Sequence, residues 1–193
     1  MIDRRTAVIG LATAALAGPS LAAQARFKQM FDGKTLDGWA PIGDANWRVD
    51  SGTIVADKGA GGFLMSKDDY KDFDLRAEVW VSPDANSGIF IRCVNRKEIV
   101  SGSAYEVNLY DNRPDPSYGT GAIVGVAKVS PMPKAGGKWN VMEIVARGDA
   151  FTVILNGQKT VDGARDAALA TGGVALQYGS GVVKFRKVEV RSA

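Results

Sequence analysis

The sequence predicts an all-β protein built as one β-sandwich, and three observations support that fold class. Several runs alternate apolar and polar residues with a period of two, which is typical of strands with one buried face. Glycine is abundant, with 23 residues, and most of the seven prolines lie in clusters between apolar runs. Roughly ten to twelve short strands are expected, without an internal repeat or a second core, and this pattern favours a single sandwich.

Residues 1–25 have the composition of an export signal and are set aside from the fold prediction. Arg4-Arg5 and the residues after it resemble a twin-arginine motif, which implies a bacterial protein exported to the periplasm or beyond. Ala23-Gln24-Ala25 is a small-x-small cleavage site, so we expect cleavage after Ala25, with Ala23 as the alternative. An uncleaved anchor is the competing interpretation, but the moderately apolar run is shorter than the ~20 residues of a membrane span.

The charge of the chain argues against a nucleic-acid partner. The full sequence has 24 basic and 21 acidic residues and a net charge of +3. Loss of Asp3, Arg4 and Arg5 with the signal would leave +2, and the remaining charges are interspersed. A nucleic-acid footprint needs a clustered basic face. The single cysteine, Cys93, has no partner for an internal disulfide and is predicted to be a buried, inert thiol.

The chain contains no histidine, which restricts its chemistry. Ser-His-Asp and Cys-His triads, HExxH zinc sites and imidazole acids or bases are excluded. A metal site would need oxygen ligands, which suit Ca²⁺, Mg²⁺ or Mn²⁺. Asp84, Asn86, Asp111 and Asp115 are loop residues with suitable donors, but their spacing is unlike that of an EF-hand. The sequence therefore predicts no tightly bound ion and no other cofactor.

The first third of the chain reads as turns and short strands. Asp32-Gly33 and Asp37-Gly38 are turn signals around a contact between Leu36 and Trp39. Asp50-Ser51-Gly52 lies between the apolar residues Trp47 and Val49 on one side and Ile54-Val55 on the other, and predicts a hairpin. The glycines at 59–62 lead into a strand and not a helix, so a phosphate-binding loop has little support.

The middle third contains the clearest strands. Residues 73–81 alternate cleanly and predict an antiparallel strand with one packed face. Residues 86–94 and 105–110 alternate in the same way and predict two further strands. If these two are neighbours, the polar side chains on one face of each could share a wall: Arg92, Glu106, Asn108 and Tyr110.

The last third predicts a meander after two irregular loops, at 113–122 and 130–137, which are long enough to border a site. Asn156-Gly157 between apolar strands is a strong signal for a type I′ hairpin. In the final strand the apolar parity changes between Phe185 and Val188, which predicts a β-bulge near Arg186.

Six motifs in this order resemble the 3-keto-disaccharide hydrolase family, whose members are also described as 3-keto-glucoside 1,2-lyase and hydratase domains. They are FDGKTLDGW at 31–39, NSGIFIR at 86–92, YEVNLYDN at 105–112, GKWN at 137–140, LNG at 155–157, and LQ at 176–177 followed by VKFRKVEV at 183–190. The resemblance spans nearly all of the chain after residue 25. It implies a concanavalin-like jelly roll, an exported bacterial protein and an oxidised sugar as substrate.

The resemblance implies enolate chemistry, in which a base removes the C2 proton of a 3-keto-glycoside. Glu106 matches the YE position of the family and is the first candidate for the base. Arg92 is the candidate for neutralising the enolate. An ion pair between these two residues that only covers the sheet is the competing interpretation, worth ~1 kcal/mol or less.

Other residues are candidates for substrate binding. Those expected to bind sugar hydroxyls are Asn86, Asn108, Tyr110 and Gln177. Asp111 joins the site only if its strand ends before it, and a turn role is the alternative. Lys128 could reach a cleft, although solvated lysines are the default. Trp80, on the polar parity of its strand, is the best tryptophan for stacking on a sugar.

The chain departs from the family at one point. Many members carry histidines near the positions of Leu155-Asn156-Gly157 and Leu176-Gln177, whereas this chain has Val153 and Tyr178 nearby and no histidine. Two function classes therefore stay open. One is an enzyme that cleaves or hydrates 3-keto-glycosides, and the other is a non-catalytic carbohydrate-binding or adhesion module of the same fold.

Overall fold

A computed structural model describes residues 26–193 as two antiparallel sheets packed face to face. The predicted signal peptide, residues 1–25, lies outside the described residues and stays a prediction. In the described part, no helix is long and apolar enough to cross a membrane. A short 3₁₀ helix at Pro116–Tyr118 interrupts the first of the two long loops.

The larger sheet has eight strands in the order β11-β10-β9-β6-β13-β4-β3, and β1 also pairs with β13. Its strands are β1 (Lys28–Gln29), β3 (Arg48–Asp50), β4 (Thr53–Ala56), β6 (Phe73–Val81), β9 (Trp139–Arg147), β10 (Ala150–Leu155), β11 (Gln158–Arg165) and β13 (Val183–Ser192). The smaller sheet has the order β2-β5-β12-β7-β8. Its strands are β2 (Trp39–Gly43), β5 (Gly62–Ser66), β7 (Asn86–Cys93), β8 (Tyr105–Leu109) and β12 (Gly173–Ser180).

The main core lies between the sheets, and strand alternation explains which side chains enter it. On β6, Phe73, Leu75 and Val79 are buried, while Arg76 between them faces out, as the period of two predicts. The facing strands of the smaller sheet contribute buried residues such as Ile89. Burial of this apolar surface from both sheets is the main source of stability.

Two local predictions are confirmed by the backbone. Asn156 and Gly157 both have positive φ, 53° and 79°, between β10 and β11. In β13 the pairing with β6 shifts register between Arg186 and Glu189, and Lys187 has a φ of 48°. This bulge lets Phe185 and Val188 both face the core despite their odd spacing.

The smaller sheet also carries apolar residues on its outer face. Met65, Phe90, Cys93 and Ala175 form a second buried cluster there, with Phe63 packed against it. Strict alternation along residues 86–94 would place Cys93 on the same face as the core residues Ile89 and Ile91, but an extra residue interrupts the alternation. The β7–β12 pairing shifts register between Phe90 and Cys93, and Arg92 has a φ of 52° at that point. Cys93 is nevertheless buried as expected, and burial raises the pKa of its thiol to about 12.

Candidate functional site

Cross-strand pairing arranges the outer face of the smaller sheet in two rows. The first row runs Ile42, Phe63, Gln177, Gly88, Asn108. The second row runs Ala40, Met65, Ala175, Phe90, Glu106. Glu106 on β8 and Gln177 on β12 are two strand spacings apart across β7 and two residues apart along the strands, which puts their backbones roughly 12 Å apart. These two polar residues therefore stand on either side of an aromatic and a glycine.

A pocket of about 310 Å³ opens over this face. Its polar side chains are Glu106, Gln177 and Ser101. Its apolar side chains are Phe63, Phe90, Ile99, Val100, Ala104 and Val124. Phe63 and Phe90 meet edge to face, with ring centroids 5.0 Å apart, and form an aromatic floor. The pocket combines a few polar groups with an apolar lining, as ligand sites commonly do.

The connection between β7 and β8, residues 94–104, forms one wall of the pocket and is tied to the sheet. Ser103 N–H donates to Val100 O at 3.0 Å in a tight turn, in which Gly102 has the φ of 83° that this turn requires. Val94 N–H donates to Ser103 O at 3.0 Å. Arg96 donates to Ser66 O at 2.8 Å and forms an ion pair with Asp69. These contacts hold the wall in place, so the pocket is preformed.

Glu106 lies in an apolar environment that changes its acidity. Phe90 pairs with it across the strands, and Val124 N–H donates to its backbone carbonyl at 3.0 Å. Burial raises the pKa of the Glu106 carboxyl above its ordinary value, and the charge of Arg113 opposes that rise. No hydrogen bond from the described residues contributes to its pKa. A carboxyl whose pKa is raised by burial in a pocket is typical of general acids and bases.

Gln177 supplies an amide without a protein partner. Its Oε1 atom is buried and accepts no hydrogen bond from residues 26–193, while the residue as a whole is partly exposed in the pocket. The –NH₂ end is therefore the end that faces the pocket. Gly88 makes room beneath this amide, because a Cβ at Gly88 would lie 3.4 Å from Gln177 Oε1 and 3.0 Å from Val107 O.

The raised pKa of Glu106 predicts a pH-dependent cost in stability. The folded protein binds the Glu106 proton more tightly than the unfolded chain does, so stability falls as pH rises from the ordinary value of 4.5 through the raised pKa. We expect Glu106→Gln to raise Tm near neutral pH and to change it little in acid well below 4.5, as measured by thermal unfolding across pH. An equal or lower Tm for the variant at neutral pH would contradict this environment.

The predicted role of Arg92 in this site is wrong, because the bulge turns its side chain away from the pocket. Its guanidinium donates to Lys71 O at 2.8 Å and to Leu169 O at 2.9 Å, and lies 5.0 Å from the centroid of Phe151. Its ion-pair partner is Asp72 at 3.6 Å. Glu106 therefore forms neither a catalytic pair nor a covering ion pair with it. Arg92 closes one end of the sandwich.

Three other candidates, Asn108, Tyr110 and Asn86, lie outside the pocket lining. Asn108 is fully buried, and its Nδ2 donates to Tyr118 O at 2.7 Å. The backbone of residues 121–124 covers this edge, since Asn108 N–H donates to Ala122 O at 3.0 Å. Tyr110 and Asn86 are partly exposed, and neither lines the pocket. Only Glu106 and Gln177 of the predicted set come together.

Asp111 has a structural role and does not face the pocket. Its carboxylate accepts hydrogen bonds from Thr120 Oγ1 at 2.6 Å, from Ala135 N–H at 3.0 Å and from Gly136 N–H at 2.9 Å. It thereby joins the two long loops. The predicted substrate role is wrong because the Asp111 carboxylate already accepts hydrogen bonds from these protein groups. The predicted alternative was a local turn, whereas the observed partners lie 9 to 25 residues further along the chain.

Lys128 and Trp80 also lie away from the pocket. Lys128 is exposed, with its Nζ 5.5 Å from the ring of Tyr118. Trp80 is on the outer face of the larger sheet, where Lys184 Nζ lies 5.0 Å from its ring. Because that face is on the opposite side of the molecule, the stacking role predicted for Trp80 at this site is wrong.

The loop carboxylates considered as metal ligands have local partners. Asp84 accepts from Ser82 Oγ at 2.6 Å, and Asp115 caps the 3₁₀ helix by accepting from Ser117 N–H at 3.0 Å. Across residues 26–193, no three cysteine or carboxylate residues converge as a ligand group. The predicted absence of a tightly bound ion stays a prediction.

Sequence reasoning missed the apolar half of the pocket. Phe90 occupies the parity of β7 that was expected to be polar, and Ile99 and Val100 belong to a connection without strand periodicity. The available signal was Phe90 beside Gly88, since an aromatic and a glycine on the outer parity indicate a face that is covered or holds a ligand.

Comparisons with known proteins agree with the motif series. A family model described as the 3-keto-alpha-glucoside-1,2-lyase-like domain matches residues 26–191. A 3-keto-disaccharide hydrolase from Bacteroides thetaiotaomicron is 29% identical over 147 residues, which covers 60% of this chain and 51% of that protein. The chain thus spans about half the length of this curated relative.

Solved structures share the fold at low sequence identity. A candidate glycosyl hydrolase from Parabacteroides distasonis has a TM-score of 0.73 and 16% identity, covering 86% of this chain and 94% of that one. The carbohydrate-binding module CBM66 from Bacillus subtilis has a TM-score of 0.63 and 16% identity, covering 80% and 96%. The predicted jelly-roll sandwich is confirmed. Together with the matched residues 26–191, the six motifs place this chain in the family of 3-keto-alpha-glucoside-1,2-lyase-like domains, to which it belongs.

Proposed function

We propose that this protein is a carbohydrate-active enzyme that cleaves or hydrates 3-keto-glycosides, with Glu106 as general base. One observation carries the proposal. A carboxyl with a raised pKa faces a preformed pocket of about 310 Å³, across from the Gln177 amide, whose –NH₂ end faces the pocket. Family membership and the name of the Bacteroides thetaiotaomicron relative support a sugar substrate with a ketone at C3.

The ketone supplies the activation that this chemistry needs. A carbonyl at C3 makes the C2 proton acidic and places the C1 substituent β to the carbonyl. Glu106 accepts the C2 proton, and the C1–O bond breaks with its electron pair going to the leaving-group oxygen. That oxygen takes up a proton from water, and Glu106 gives its proton to the solvent and is regenerated. Water then adds across C1 and C2, with the hydroxyl at C1. A carboxylate base next to hydrogen-bond donors is sufficient for the first step.

Gln177 and Arg113 take over the role that was predicted for Arg92. The –NH₂ group of Gln177 is a hydrogen-bond donor for the developing enolate oxygen, at a distance from Glu106 that leaves room for a sugar between them. Arg113 is the cation whose charge acts on Glu106. Its positive field also favours the enolate over the neutral ketone.

The pocket composition favours this chemistry over that of ordinary glycosidases. Those enzymes use two carboxyl groups, roughly 5 to 10 Å apart, on either side of the bond that breaks. Of the described residues that line the pocket, Glu106 is the one with a carboxyl. The aromatic floor of Phe63 and Phe90 offers a surface for the C–H face of a sugar ring.

The direct test is turnover by a protein comprising residues 26–193. Incubation with a 3-keto-disaccharide is expected to release the 3-keto sugar and the leaving sugar, and NMR detects both products. The unoxidised disaccharide with the same linkage serves as the control and is expected to stay intact, because it lacks the acidic C2 proton. Lack of release from the keto substrate would overturn the proposal.

A non-catalytic carbohydrate-binding module is the second candidate. The observation that favours it is the lack of histidine in a chain whose family often carries histidines near Leu155-Asn156-Gly157 and Leu176-Gln177. Retarded migration in gels that contain polysaccharide, together with no turnover of the keto substrate, would support this candidate over the enzyme.

A further inference from the structure

We infer that the side of the pocket beside Glu106 binds an apolar leaving group at C1, such as an alkyl or aryl aglycone. The inference rests on the proposed function, because it identifies C1 by the position of Glu106. It depends on the apolar side chains of the pocket, which the proton abstraction by Glu106 does not use. We call three of them the apolar wall and define it as Ile99, Val100 and Val124.

The apolar wall is next to the base. Val124 N–H donates to Glu106 O at 3.0 Å. The connection that carries Ile99 and Val100 ends at Ala104, which is two residues before Glu106, and leads directly into β8. Glu106 acts at C2, and C1 is one bond away. A substituent at C1 therefore starts beside Glu106 and extends along either the apolar wall or the solvent side of the pocket.

Exposure of the apolar wall indicates that it has an unfilled contact surface. Among residues 26–193, the large hydrophobic side chains that are exposed are Val94 at 55%, Val100 at 49% and Trp139 at 36%. Two of these three lie on the same 94–104 connection, and Val100 lines the pocket. An apolar group bound against Val100 would remove this surface from water, which is favourable in proportion to the area covered.

A second sugar would be poorly matched to the same wall. Its hydroxyls would lose water on binding, and the three wall side chains offer no hydrogen-bond partner in return. Ser101 is the nearby side chain in the pocket lining with a hydroxyl. Of the described residues that line the pocket, none carries a positive charge, so the composition also gives no reason to expect an anionic leaving group.

The experiment compares two substrates with the same leaving-group chemistry. Methyl and cyclohexylmethyl 3-keto-glucosides of one anomeric configuration both release a primary alcohol of similar acidity, so a difference between them reports contact and not bond strength. We expect kcat/KM to be about tenfold higher for the cyclohexylmethyl compound than for the methyl compound. Tenfold is the lower end of the gain that one methylene group gives in a closed hydrophobic pocket, and we use the lower end because this wall is open to solvent on one side. A ratio near one in the native protein would overturn the inference.

Two exposed valines on one connection supply matched variants. Val100→Thr, alone or with Ile99→Thr, is expected to lower the ratio towards one. Val94→Thr makes the same change on a residue that does not line the pocket and is expected to leave the ratio as in the native protein. Equal loss in the Val94 and Val100 variants would overturn the inference, because it would indicate a general effect on the connection.

A binding measurement separates this inference from the proposed function. If neither keto-glucoside is turned over, the proposed function fails, and the unoxidised methyl and cyclohexylmethyl glucosides are compared by calorimetric titration. Tighter binding of the cyclohexylmethyl glucoside, lost in Ile99→Thr/Val100→Thr, would support the apolar wall as a binding site. Equal affinities would overturn it.

Discussion

Replacing Glu106 by glutamine is expected to lower kcat for a 3-keto-glycoside by about 10²–10⁴-fold, which is the usual contribution of a general base. Glutamine keeps the shape of the side chain but cannot accept the C2 proton. KM is expected to change less, since the aromatic floor and Gln177 are untouched. Steady-state kinetics of the two proteins measure the effect.

Glu98→Gln is the matched control for this variant. It removes the same charge from an exposed glutamate on the 94–104 connection that does not line the pocket, so we expect near-native kcat. The pH dependence of kcat/KM adds a second check. Because Glu106 acts in its deprotonated form and its pKa is raised, kcat/KM is expected to increase with pH at values above the ordinary carboxyl pKa of 4.5. Full activity in Glu106→Gln would remove Glu106 from the mechanism.

Arg92→Met is expected to destabilise the fold by about 3–5 kcal/mol, which is the cost typical of breaking a buried polar network. The guanidinium is 1% exposed and satisfies the carbonyl groups of Lys71 and Leu169 while it packs over Phe151. Methionine fills similar space but leaves both carbonyls without their donor. The free energy of unfolding from denaturant titration gives the effect.

A surface arginine provides the comparison. Arg76 pairs with Glu143 at 3.0 Å and with Glu189 at 3.8 Å, and its side chain is 45% exposed. Arg76→Met is therefore expected to cost less than about 1 kcal/mol. The folded fraction of Arg92→Met is expected to keep native kcat, because Arg92 does not face the pocket. A selective loss of kcat in a stably folded Arg92→Met would return it to the catalytic group.

Much of the fold could be predicted because its signals are local. The strand at Phe73–Val81, the turn at Asn156-Gly157 and the bulge after Arg186 each follow from the alternation or turn chemistry of a few adjacent residues. The six motifs added the family because their order is a property of the whole chain.

The candidate site could be predicted only in part because its composition depends on long-range pairing. Glu106 and Gln177 were found from parity and motif, but parity alone placed Arg92 beside them. One extra residue in β7 reverses that assignment, and neighbouring residues give no signal for it. The apolar wall was missed because loop packing, unlike strand alternation, leaves no periodic pattern.

Deuterium incorporation at C2 tests the central claim most directly. When turnover of a 3-keto-glycoside is run in D₂O, the account predicts that the released 3-keto sugar carries one deuterium at C2 at the first time points. This incorporation should be faster than the exchange of deuterium into free product incubated with the same enzyme. In Glu106→Gln, turnover and deuterium incorporation should both be lost. A released sugar that retains its C2 proton would show that the glycosidic bond breaks without C2 proton abstraction, and would contradict the account.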